Sequence, residues 1–440
     1  MMPRSIFLTL ASAILLATSG MAVASSHYVV ATAGNALRIS LQLAHDGQTK
    51  TLFVPGGGGP YAEKAQVEAP ACNGRALAQD AHGNWIAPAS CTQVLWTVRP
   101  LQLPANGYDA TRQITARIGK AAWMVFSEST SLLRVRGKTG PATIAMRKHD
   151  LPMTGGIPAG RQAWQIPAQN DAPEFYIIGR APTQTAHFGG LQVTYVLDSP
   201  KQIQAQNLIS LHAQALDYLV ATAFPSQQRN TLHEHLLVLW LGLDQNHGML
   251  NGAAGGRSFM ANYLATGDVP PTRKDTLLAL MVTSHEQFHQ ITQMARGDLP
   301  GLPGWLNEAL GAYYGITAAR RVRPGPEADA LYSHFVDRDR PIEHGLVEWN
   351  RRYAEGDPSG YPFFYSQGAT FLSLLDQALQ AHGSRLDALL PALLRSRFSA
   401  DNALPTDFVQ QAEKIAGPEA RTLIEQYVGI SEADPLPAQR

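Results

Sequence analysis

The sequence predicts an α+β protein of two domains, an all-β, sandwich-like half followed by a mostly helical one. Three observations carry that prediction. From about residue 25 to 200, short segments of β-branched and aromatic residues alternate with Gly, Pro, Asn and Asp clusters, the punctuation of strands and turns. Beyond Ser199-Pro200, apolar residues recur instead at helical spacing. Finally, 440 residues, 45% hydrophobic and 16% charged, are too many for one ordinary domain and suit large buried cores.

In the first half, segments 36–43, 92–98, 121–126, 142–146, 174–178 and 191–197 read as strands. Residues 56–60 form a Gly-rich loop, but no Lys-Ser or Lys-Thr follows to make it a phosphate cradle. In the second half, Ile203, Leu208, Leu211, Leu216, Leu219 and Val220 mark a helix over 201–223, and 236–243 is an apolar run with the length of a buried strand. A Gly-rich connection at 248–257 leads to helices over 274–296, 304–320, 364–381, 385–397 and 417–428.

The N-terminus has the grammar of export. Arg4 precedes an apolar stretch, 6–18, too short for a comfortable membrane span, and Ala22-Val23-Ala24 offers the small residues of a cleavage site after Ala24. The expected organisation is therefore a signal peptide at 1–24, a β-rich domain at 25–200 and a catalytic domain at 201–440, in a periplasmic or secreted protein. No later segment is apolar for long enough to span a bilayer. In an oxidising compartment the two cysteines, Cys72 and Cys91, read as a disulfide closing a small loop, and neither as catalytic. The 35 basic and 35 acidic side chains cancel, and no Lys/Arg run offers a footprint for nucleic acid.

The chemistry concentrates in Ser284-His285-Glu286-Gln287-Phe288-His289-Gln290, within a helix opened by Thr272 or Asp275 and stopped by Gly297. Residues i and i+4 share a helix face, so His285 and His289 aim two imidazoles at one point, as a zinc ion requires. Glu286 lies where its carboxylate reaches the water such an ion activates rather than the ion. Catalytic zinc needs a third protein ligand. Glu308, nineteen residues beyond His289, opens the next helix after a short loop that turns the chain back, which places it opposite the histidines. Taken alone, Glu308 would read as a first-turn acid stabilised by the helix dipole. His233, Glu234 and His235 read as a solvated strand entrance, and His247 and His344 as lone surface or supporting histidines.

His-Glu-Gln-Phe-His, an eighteen-residue gap and Glu308 within Trp305-Leu306-Asn307-Glu308 resemble the gluzincin pattern of the aminopeptidase N family and of its relative, the glycyl aminopeptidase family. Downstream, Tyr365-Ser366-Gln367-Gly368-Ala369 is similar to the Tyr-x-x-Gly-Ala segment whose tyrosine supports the oxyanion in both. The likeness covers roughly residues 230–380, and the export signal and β-rich first half lean towards the glycyl branch. It implies a thermolysin-like catalytic domain holding one zinc per chain, acting on peptides or proteins, with Glu286 as general base. Tyr365 is then an oxyanion donor worth about 3 kcal/mol of barrier; helix packing beside the metal is its other reading. The pattern departs in one place. Where these families carry a glutamate that holds the substrate's α-amine, the counterpart is Gly248-Met249-Leu250-Asn251-Gly252. Gly248 and Asn251 are thus the substrate-binding candidates, but a neutral amide holds an ammonium less strongly than a carboxylate does. Endopeptidase action, a zinc scaffold without turnover and a non-peptidase zinc hydrolase on the same fold are the rivals this leaves. The residues after 400 leave little room for the PDZ domain common in the glycyl branch.

Overall fold

Alternating burial along the first strands builds the β half. In Ala36–Gln42 the residues Leu37, Ile39 and Leu41 are fully buried while Arg38 and Gln42 face out, the period of two that a sheet with one covered face demands. This computed structural model describes residues 26–429, apart from 57–60, 64, 138–141, 148–152, 155–162, 167–171, 189, 230–231 and 245–248. The signal peptide, most of the 56–60 loop, His247 and Gly248 lie outside the described residues.

Three sheets make up the β half. The largest has seven strands in the order Ala163–Ile166, Ala142–Met146, Ser26–Ala33, Ala36–Gln42, Gln93–Val98, Val67–Cys72 and Arg75–Ala76. A second, five-stranded sheet centres on Trp123–Ser127 and Phe175–Gly179, and a third, four-stranded one on Lys50–Phe53. Tyr28, Ile39, Trp96, Phe126 and Tyr176 share one core between them. Cys72 and Cys91 form a disulfide with Cα atoms 5.9 Å apart, tying the strand Val67–Cys72 to the segment entering Gln93–Val98.

The fourth sheet belongs to the second half, in the order Thr183–Phe188, Leu191–Leu197, His235–Leu243, Ser258–Leu264 and Gly252–Ala254. It therefore begins before residue 200. The segment 191–197, grouped by sequence with the β half, pairs in parallel with His235–Leu243. A parallel neighbour needs a crossover, and the helices between the two strands supply it. Among the described residues those are Pro200–Ala205 and Leu208–Ala223, where the spacing predicts one helix, and the short Ser226–Arg229. Asn207, at φ +53°, breaks the run in the left-handed conformation that asparagine tolerates. The predicted Gly-rich connection also contains structure: Gly252–Ala254 is the sheet's edge strand, antiparallel to Ser258–Leu264.

Helix Arg273–Arg296 lies on this sheet. Thr272 and Asp275 form a capping box at its start, and Gly297, at φ +55°, ends it. Leu277, Leu280, Phe288 and Ile291 join Trp240 and Phe259 of the sheet in one core, and Trp240 Nε1 donates to Thr283 Oγ1 at 3.0 Å. The chain then turns back. Buried Arg296 holds the return loop by donating to the carbonyls of Pro300 (2.6 Å) and Leu394 (2.7 Å). Helix Gly304–Val322 follows, covered by Tyr361–Ala381. Three helices that the spacing does not predict, Pro326–Phe335, Leu346–Ala354 and Thr406–Ala416, complete the lobe along with Leu386–Arg395 and Pro418–Tyr427. Among the described residues no helix is long and apolar enough to cross a membrane.

Gly368 sets the spacing between the last two site helices, because a methyl there would lie 2.4 Å from Ala309 Cβ. Gly368→Ala should therefore cost about 1–3 kcal/mol through overpacking, read as a lower urea midpoint at unchanged slope.

Candidate metal centre

His285 and His289 stack one turn apart on helix Arg273–Arg296, and Glu308 meets them from the first turn of Gly304–Val322. The two Nε2 atoms are 2.9 Å apart, and Glu308 Oε2 lies 3.3 Å from the first and 3.5 Å from the second. A tetrahedral ion with bonds of 2.0–2.1 Å separates its ligand atoms by about 3.3 Å, so the three atoms stand at the spacing of three corners of such a site. Protons alone satisfy them poorly. Only one hydrogen fits between the two nitrogens, and Glu308 Oε2 is buried with no donor aligned to it. A divalent cation answers all three lone pairs at once, and a His₂Glu donor set suits zinc. Among the described residues no other group of His, Cys, Asp or Glu clusters in this way.

Bare backbone makes the convergence possible. A Cβ at Gly311 would fall 2.8 Å from His285 Cε1 and 3.0 Å from His289 Cε1, and one at Gly315 would fall 3.0 Å from the Met281 carbonyl. Glu308, Gly311 and Gly315 thus form one helix face, a ligand followed by two vacancies that the histidine helix fills. On the other flank the Tyr365 ring stacks on His285, with centroids 5.5 Å apart and planes at 14°. Its hydroxyl is 2.9 Å from that of Tyr361, which in turn stacks on Tyr353.

Burial sets the charges. It pushes Glu286 above the usual carboxylate range, with the neighbouring imidazoles opposing. Burial would raise Glu308 as well, but the two imidazoles beside it, His289 foremost, outweigh it and hold the carboxyl well below that range. For His289, burial favours the neutral ring, yet the Glu308 carboxylate prevails and lifts it to about 9. Burial, with Glu308 adding to it, drives the Tyr365 phenol well up, so it remains a hydrogen-bond donor at neutral pH.

The edge strand closes the site from the sheet side. A Cβ on Gly252 would lie 2.3 Å from Glu286 Oε1, so only glycine lets this backbone rest against that carboxylate. Asn251, just before it, donates from Nδ2 to Asp109 Oδ1 of the β half at 3.1 Å. The structure therefore brings together His285, Glu286, His289, Glu308 and Tyr365, with Asn251 at the rim. Of the other candidates, His344 packs on Trp349, and Glu234, between His233 and His235, pairs with Arg257. Sequence reasoning did not single out Gly252, Gly311, Tyr361 or Asp109 for the site. The i, i+4 spacings Gly311/Gly315 and Tyr361/Tyr365 were there to be seen, but nothing local to Asp109 signals a partner 142 residues away.

Gly311→Ala should displace both imidazoles while leaving the cores intact. The expected outcome is zinc affinity about 10–100-fold weaker, the range seen when groups that orient ligands are lost, read by competition with a chelating dye against an unchanged circular dichroism spectrum.

No family model matches the sequence, and no curated protein matches it. Among solved structures, an aminopeptidase N family protein from Idiomarina loihiensis is similar, with a TM-score of 0.59 at 14% identity over 93% of this chain and 74% of that one. At that identity the likeness speaks for the fold: this chain has an aminopeptidase N-like α+β fold, a β-sheet domain followed by a helical region.

Proposed function

We propose that this chain is a zinc-dependent peptidase, its one zinc ion held by His285, His289 and Glu308. The observation that carries the reading is the convergence of those three ligand atoms beside a buried carboxylate and a protonated phenol. Zinc in such a site makes water acidic and polarises a carbonyl. Glu286 takes the proton of the attacking water and passes it to the departing amine, work for which a carboxyl raised by burial is matched. Tyr365 donates its hydroxyl to the carbonyl oxygen as negative charge develops there, with Tyr361 fixing the direction of that hydroxyl. The edge strand Gly252–Ala254, paired on one side only, offers main-chain groups to an extended peptide. A scaffold that only stores zinc needs neither Glu286 nor Tyr365, which argues against that rival.

Asn251 leaves the edge strand without a carboxylate for a substrate amine, but its amide holds Asp109 beside it. We assign to Asp109 the anchoring of the ammonium, which makes cleavage next to a free N-terminus the favoured mode over internal cleavage. The protein is placed outside the cytoplasm on the strength of Arg4, the 6–18 stretch and Ala22-Val23-Ala24, a setting the Cys72–Cys91 bond suits.

Glu286→Gln should keep stoichiometric zinc while kcat falls by about 10³ or more; full turnover in that variant would remove Glu286 from the chemistry. Tyr365→Phe should lower kcat by roughly 10²–10³ with KM little changed. For Asp109→Asn the informative measurement is kcat/KM on matched peptides with free and acetylated N-termini. The preference for the free amine should shrink about tenfold or more, and an unaltered ratio would return the anchoring role to another group.

A further inference from the structure

The hairpin formed by Gly252–Ala254 and Ser258–Leu264 is held at both ends by side chains the chemistry above does not use. At its turn stands Glu174, a buried residue of the β half. Glu174 Oε1 accepts from the Arg257 backbone N–H at 2.6 Å, and Oε2 accepts from Ser258 Oγ, which itself accepts from Phe175 N–H at 2.7 Å. Gly255 and Gly256 have no room for a side chain here: a Cβ at the first would lie 2.4 Å from the Pro173 carbonyl, and one at the second 2.9 Å from Glu174 Oε1 and 3.4 Å from Gln293 Nε2. At the other end, fully buried Asn262 accepts from Ala110 N–H at 3.0 Å and donates to the carbonyls of Tyr108 (2.8 Å) and Leu241 (3.0 Å). Its own N–H donates to the Asn251 carbonyl at 2.8 Å.

This is a costly way to fasten a hairpin. Glu174 and Glu128 are both buried, Glu128 Oε2 accepts from the Glu174 N–H at 3.0 Å, and Arg134 is bonded to Glu128 while the Arg257 charge acts on Glu174. Apolar residues of similar volume usually serve stability as well or better, so we read this buried polar cluster as fixing one arrangement. What it fixes here is the strand that bears on Glu286.

We infer that Glu174 and Asn262 are positioning residues through which the β half locks the hairpin so that Gly252 stays against Glu286. The inference rests on the peptidase reading for its effect on turnover, but not for its effect on the hairpin. Burial raises Glu174 to about 7, Glu128 adding to the rise while the Ser258 hydroxyl, the Arg257 N–H and the Arg257 charge oppose it. The other groups facing the junction are Arg134, through Glu128, the Tyr176 phenol and the neutral Gln293. Since the folded-state value lies above the unfolded one, the neutral carboxyl is the form folding favours. Its contribution is complete below the unfolded value, about 4.5, and is lost as pH rises through 7.

Full-length wild type, Glu174→Ala and Glu174→Gln are compared by hydrogen exchange over residues 252–264, zinc content and kcat/KM between pH 5.5 and 8.5. The alanine variant is expected to lose at least tenfold in hairpin protection and in kcat/KM with zinc retained. The glutamine variant, which keeps an acceptor and cannot ionise, is expected to retain activity near pH 6 and to lack the fall in hairpin protection expected of wild type above pH 7. Unchanged protection in Glu174→Ala, or identical pH profiles for wild type and Glu174→Gln, would overturn the inference. If wild type cleaves no peptide, the functional reading falls, and exchange alone then decides for or against the lock.

Discussion

The site depends on how closely two helix backbones approach. Two imidazoles from one helix and a carboxylate from the next must bring three ligand atoms within 3.5 Å of one another, with the side chains only 10–17% exposed. Holding three such atoms at the spacing of one shared cation falls to the scaffold. Gly311 and Gly315 allow the approach, Gly368 lets the next helix brace it from behind, and Arg296 fixes the loop joining the two ligand-bearing helices. None of these residues touches a reacting atom, yet the ligand geometry follows from them. A preformed site of this kind avoids much of the ordering cost that ligand capture by a flexible chain would carry.

Adjacent carboxylates then acquire different duties from their surroundings. Glu308, between two imidazoles, is held ionised and so is suited to be a ligand. Glu286, one residue from His285, is buried against the bare backbone of Gly252 and is pushed the other way, towards accepting a proton. The same side chain is pushed in opposite directions because the imidazoles dominate at Glu308 and burial beside Gly252 dominates at Glu286.

How much of this was legible in the sequence follows from the range of each interaction. The His285/His289 spacing, the caps at Thr272 and Gly297 and the helix opening before Glu308 are local, and the structure reproduces them within a few residues. The two-part α+β organisation is equally local, since strand and helix periodicities differ over any short window. What could not be read is what sheet pairing decides. Residues 191–197 look like any strand of the first half, and only their parallel partner at 235–243 assigns them to the second sheet. The edge strand was hidden for the opposite reason: Gly252, Ala253 and Ala254 have no side chains of strand character, because the wall of the site needs backbone there and nothing larger. Helix 346–354 escaped notice because Glu348, Arg351, Arg352 and Glu355 make its exposed face a ladder of ion pairs, leaving Leu346 and Trp349 as its buried apolar contacts.

The β half acquires its meaning from that edge strand. A one-residue slip in pairing turns a strand's groups to the opposite side, and a strand at the rim of a sheet has only one neighbour to hold it. Here the missing neighbour is replaced by side chains from the other half of the chain: Asp109 on Asn251, the Tyr108–Ala110 backbone on Asn262, and Glu174 on the hairpin turn. These contacts leave the strand's outer groups free for a peptide while removing its freedom to shift, which a covering strand could not do. A helical half folded alone would retain three metal ligands on two rigid helices, but the wall facing Glu286 would rest on a single ladder of hydrogen bonds. The His285–His289–Glu308 cluster is therefore built within the helical half, while the edge strand beside Glu286 is held across the junction.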